Sequence, residues 1–81
     1  MTPEEAFGQA LRVLRAERRW SQERLALESG VDRSYISLLE RGRQSPTLDT
    51  IFRLATVLAI KPSDLLARME ANVGTLRGRA R

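Results

Sequence analysis

The sequence predicts an all-α fold, five short helices packed as one compact domain. Three observations carry that expectation. Apolar residues recur at spacings of three and four along five segments, and no strand pattern is found. Ser, Thr, Asp, Gly and Pro stand where those segments begin and end. The 81 residues make one small domain, joined by short connections.

The first helix opens on Thr2-Pro3-Glu4-Glu5, a threonine cap, a proline at the first helical position and a glutamate three after the cap. Phe7, Ala10, Leu11 and Leu14 then keep helical spacing to about Arg18. Ser21 caps the second helix, which turns Leu25 and Ala26 inward and ends at Ser29 before Gly30. The third runs from an Asp32 cap to about Arg41 and stops at Gly42. A polar loop, Arg43-Gln44-Ser45-Pro46, leads to Thr47 and a fourth helix reaching about Leu58. Its expected apolar stripe is Leu48, Ile51, Leu54, Ala55 and Leu58. The fifth starts near Pro62, with Leu65, Leu66 and Met69 to bury. These helices are assigned to a domain over residues 1–72, and 73–81 to a flexible basic tail with Arg77, Arg79 and Arg81.

Composition narrows the function. Fourteen basic residues against ten acidic give +4, and thirteen of the fourteen are arginine, the side chain suited to phosphate and guanine edges. The absence of cysteine and histidine removes thiolate metal sites and the commonest general base. No nucleophile–base pair or phosphate-cradling glycine loop is present, so neither enzymatic activity nor a cofactor is expected. No apolar run approaches the ~20 residues of a membrane span, and the acidic N-terminus is unlike a signal peptide. The expected location is cytoplasmic, away from membranes.

The informative stretch is S-G-V-D-R-S-Y-I-S-L-L-E-R-G, Ser29 to Gly42. Ile36 and Leu39 share one face, while Arg33, Ser34, Ser37 and Arg41 fall on another. The three residues around Gly30 join the second and third helices at a steep angle. Gly30 permits the turn, Ala26 allows close approach, and Val31 and Ile36 pack into the angle. That is a helix-turn-helix, whose second helix enters the DNA major groove.

The stretch W-S-Q-E-R-L-A-L-E-S-G-V-D-R-S-Y-I-S-L-L-E-R-G resembles the Xre/Cro family, the lambda-repressor-like DNA-binding domains. D-R-S-Y-I-S is especially similar to the controller proteins of restriction–modification systems. The resemblance covers about residues 7–68, the last part through P-T-L-D-T-I-F-R-L-A-T-V-L-A-I-K-P-S-D-L-L. It implies base-edge contacts from Arg33 and Ser34, with Ser37 and Leu38 one turn later and Tyr35 approaching the DNA. It also implies a phosphate brace at Gln22, with Ser21 beside it. From their place after the recognition helix, Arg41, Arg43 and Gln44 are candidates for further phosphates. By resemblance Arg15 and Glu40 form an internal ion pair. Leu38 stands where some relatives carry a polar reader, and Lys61 where a serine commonly caps the fifth helix.

The function expected is a sequence-specific transcriptional regulator on double-stranded DNA, working as a homodimer on an approximately palindromic operator. Leu65, Leu66 and Met69 are the candidate dimer surface. Repression and activation both stay open, with RNA polymerase or a toxin as further candidate partners. Two rival readings remain: an antitoxin that represses its own operon, and a helical interaction module without DNA affinity.

Overall fold

The structure, a computed structural model, describes residues 1–74. Five helices follow one another: α1 (Pro3–Glu17), α2 (Gln22–Ser29), α3 (Arg33–Glu40), α4 (Leu48–Val57) and α5 (Pro62–Val73). Among the described residues there is no strand. Local chemistry sets most of the boundaries. The Thr2 hydroxyl accepts from the Glu5 N–H at 3.1 Å, and the Glu5 carboxylate accepts from the Thr2 N–H at 3.0 Å. Ser21 and Thr47 cap α2 and α4, each accepting from a backbone N–H at 3.0 Å. Lys61 offers no side-chain cap, and Pro62 starts α5 in its place. The Asp32 carboxylate likewise makes no cap bond to the α3 backbone; it accepts from the Ser34 hydroxyl.

The core is one cluster. Phe7, Leu11 and Leu14 of α1 meet Leu25, Ile36, Leu39, Leu54 and Leu58, with Leu65 from α5, all with at most 2% of their surface exposed. Each such side chain contributes about 1.5–3 kcal/mol relative to staying in water. α1 runs through the middle, packed on α5 and α3, while α2 packs on α3 and α4. Gly8 makes the α1–α3 approach possible, since a Cβ there would collide with the carbonyl oxygens of Leu39 and Glu40. The carboxyl end of α3 is thereby held against α1.

Two assignments from the apolar pattern need correction. Leu65 is fully buried among the helices and cannot belong to a surface between subunits. Leu66, one residue or about 100° further round α5, is exposed, and Met69 is half-buried. Leu48 is not part of the inward stripe either, being 74% exposed at the first position of α4. Periodicity gave its direction, but the packed stripe of Ile51, Leu54, Ala55 and Leu58 begins a turn later. α5 continues through buried Val73 to Gly74, whose φ of 74° closes the helix. The rest of the expected basic tail, 75–81, lies outside the described residues.

Candidate nucleic-acid interface

The turn between α2 and α3 is tied at each step. Gly30, at φ 74°, donates its N–H to the Ala26 carbonyl at 2.9 Å. The buried Ser29 hydroxyl donates to the Leu25 carbonyl at 2.6 Å and accepts from the Val31 N–H at 3.2 Å. Val31 and Ile36 are buried in the angle, and Ala26 packs against the same cluster. The relative orientation of α2 and α3 therefore rests on satisfied backbone groups and core packing.

α3 buries Ile36, Leu39 and Glu40. Arg33 and Ser34 are exposed on the opposite side, with Ser37, Leu38 and Tyr35 half-buried beside them. The Arg33 guanidinium leans on the first turn of α2, with Nε 3.6 Å from a Glu23 carboxylate oxygen and Nη1 3.5 Å from the Gln22 side-chain oxygen. The Ser34 hydroxyl donates to Asp32, and that bond holds the Asp32 carboxyl below its ordinary pKa. The exposed side thus offers a guanidinium fork and hydroxyls that suit the acceptor-rich edges of bases.

Behind this side sits a polar bracket. The Glu40 carboxylate, nearly excluded from solvent, takes Arg15 Nε at 2.7 Å and Nη2 at 2.9 Å, and Gln22 Nε2 at 3.0 Å. Arg15 Nη1 also donates to the Trp20 carbonyl at 2.8 Å. The Glu40 bond raises the Arg15 pKa further above its already high value. One carboxylate thus links α1, the start of α2 and the end of α3. Trp20 itself packs against the core, with the Arg24 guanidinium 4.7 Å above its ring.

The segment after α3 is also anchored. The Tyr35 hydroxyl donates to the Ser45 carbonyl at 3.0 Å, and the Ser45 hydroxyl donates to Glu4 on α1 at 3.0 Å. Arg41, Arg43 and Gln44 are exposed along it. Ser21 and Gln22 lie at the other end, beside Arg33 and Glu40. Leu66 and Met69 stand apart on α5, lining a groove of about 220 Å³ with Ile51 and Pro46. Sequence reasoning missed Glu23, whose carboxylate meets Arg33 only through the fold, and Phe52, which is 58% exposed on α4. Phe52 breaks the inward stripe of α4, and that was the available signal. Among the described residues no cluster of His, Cys, Asp or Glu could hold a metal ion, and no helix is long and apolar enough to cross a membrane.

Comparison with known proteins agrees with this geometry. The family model HTH_3, described as helix-turn-helix, matches residues 11–65. The control protein C.BamHI of Bacillus amyloliquefaciens is 43% identical over 61 residues, 74% of this chain and 75% of that protein. The crystal structure of the restriction-modification controller protein C.AhdI from Aeromonas hydrophila superposes with a TM-score of 0.74 at 48% identity, covering 76% of this chain and 94% of that one. The controller protein C.Esp1396I, solved as a tetramer with its natural 35 base-pair operator, shares the fold with a TM-score of 0.80 at 22% identity, over 90% of this chain and 96% of that one. The chain belongs to the Xre-like helix-turn-helix family of DNA-binding transcription regulators and is not an enzyme.

Proposed function

We propose that the protein binds an approximately palindromic operator as a homodimer and regulates transcription there, with α3 of each subunit in the major groove. The observation that carries this reading is the outward side of α3. Arg33, Ser34 and Ser37 are free of the buried stripe and stand beside an α2 start already braced by Glu40. In this reading Arg33 takes a guanine by two hydrogen bonds, with Ser34 and Ser37 assisting and Tyr35 and Leu38 at its flank. Ser21 and Gln22 at one end, and Arg41, Arg43 and Gln44 at the other, hold phosphates and set the register.

The dimer surface in this reading is the α4–α5 side, with Leu66 and Met69 joined by exposed Phe52 and Leu48 in place of Leu65. Control of a restriction–modification system is the biological role favoured by the similarity to C.BamHI and C.AhdI. Genes for a methyltransferase or an endonuclease beside this one are expected on that role. Selection from random duplex DNA, followed by footprinting upstream of the protein's own gene, tests the reading. Two inverted half-sites about one helical turn apart are expected. No enriched sequence, or a lone half-site, would overturn it.

A further inference from the structure

Ten arginines lie among the described residues, and five of them have a carboxylate within 4 Å: Arg15, Arg24, Arg33, Arg53 and Arg68. The other five have none among the described residues, and three of those, Arg12, Arg41 and Arg43, line one open groove of about 690 Å³ between α1 and the segment after α3. Two carboxylates share the lining with them, so three guanidiniums face one carboxylate paired with a cation, Glu40, and one that keeps its charge, Glu5. Glu5 accepts from the Thr2 N–H in the α1 cap, and Glu40 is filled by Arg15 and Gln22. All three guanidiniums are exposed. Arg41 makes a long bond, 3.4 Å, to the Ser37 carbonyl, and among the described residues none of the three pairs with a carboxylate. Three guanidiniums lining one groove, without a carboxylate partner among the described residues, are suited to an oxyanion.

We propose that this groove seats a phosphate of the DNA backbone beyond the helix-turn-helix, with Arg12 on α1 as its third cationic wall. The inference rests on the DNA-binding reading and extends it to α1, which in that reading braces α3 but contributes no contact to DNA. Glu40 gives the placement. Glu40 is among the residues lining the groove, and its carboxylate holds Gln22, the expected phosphate brace on α2. A backbone strand passing Gln22 would meet the Arg12–Arg41–Arg43 groove next along the same side.

The test needs no knowledge of the operator. Binding of the full chain to a random-sequence duplex is measured against salt concentration for wild type, Arg12→Ala, Arg12→Lys and Lys61→Ala. Arg12→Ala should reduce the slope of log K against log salt by about 0.9, the loss of one phosphate contact. Arg12→Lys should keep most of the slope. Lys61→Ala removes the same charge at the α4–α5 turn, away from the groove, and should leave the slope as it is. An Arg12→Ala slope equal to that of wild type, or equal to that of Lys61→Ala, overturns the proposal while DNA binding stands. A wild type without salt-dependent binding removes the DNA reading itself. Titration with inorganic pyrophosphate, followed by amide resonances, separates a DNA phosphate from a free anion. Saturable pyrophosphate binding in the groove together with an unchanged Arg12→Ala slope would assign the site to a free anion instead.

Discussion

Arg33 has two competing partners of different strength. Its present ones, Glu23 at 3.6 Å and Gln22 at 3.5 Å, are long contacts on a half-exposed side chain. An exposed pair of this kind contributes about 0–1 kcal/mol. A bidentate bond to guanine discriminates by about 1–3 kcal/mol, so on the proposed reading a correct base pair would draw the guanidinium from α2. Arg33→Ala should therefore cost about 1–3 kcal/mol per half-site and relax preference at one base pair. Binding to a panel of operators substituted at each position checks this; unchanged affinity and specificity would show that Arg33 is not the reader. A second residue-scale effect is independent of DNA. Ala59 is exposed with φ 56° in the turn after α4, and Arg19 has φ 58° in the matching turn after α1. Left-handed backbone costs an L-residue about 1–2 kcal/mol. Glycine removes that cost but gives back about 0.4–1 kcal/mol through the freer unfolded chain. Ala59→Gly should therefore stabilise the protein, by up to about 1.5 kcal/mol, in urea melts. A lower midpoint would show that the backbone strain there is negligible.

Between elements, the Glu40 bracket decides how firmly α3 is presented. Arg15 and Glu40 side chains are 17% and 4% exposed, so this pair sits far from the surface regime. Removing one partner of such a pair costs about 3–5 kcal/mol, because the other charge stays buried without its counter-ion. Glu40→Gln should fall near that range. The double-mutant cycle with Arg15→Met should give a coupling of about 0.5–3 kcal/mol, and additive losses would show the two side chains acting independently. This bracket also marks how far the sequence was legible. Helix starts at Thr2, Ser21 and Thr47 could be read because a cap is a bond to a backbone N–H three residues away. Arg15 and Glu40 are 25 residues apart, and they were paired through family resemblance, since no spacing rule reaches that far. Gln22 joining Glu40, and Glu23 meeting Arg33, were not legible at all, for the same reason. At Leu48 and Leu65 the helical period gave a direction around the axis without showing which neighbour covers it. The outward group Arg33, Ser34 and Ser37 was readable because its buried counterpart, Ile36 and Leu39, lies on the same eight-residue helix.

At the scale of the whole molecule, the question is how one small domain gains the affinity a specific site needs. A single half-site offers α3 only about two turns of helix, and specific complexes normally bury far more surface than one such module supplies. Two copies related by a two-fold axis double the contacts and define the spacing of the half-sites. The α4–α5 side has the character for this. Phe52 is 58% exposed, Leu48 74% and Leu66 39%, beside an apolar groove that reaches Met69. Sedimentation at micromolar concentration should report about twice the 9.2 kDa mass of the chain. Phe52→Glu and Leu66→Glu each put a charge on this side without touching the core, and both should give a folded monomer. Leu65→Glu should behave differently, since its side chain is wholly inside and a carboxylate there would unfold the domain. A circular dichroism melt separates the two outcomes, with a cooperative transition kept in the first pair and lost in the third. If the wild type stays monomeric at high concentration and still holds one half-site tightly, the two-fold operator fails together with the dimer, because the palindrome has no other origin in this chain than the symmetry of its pair.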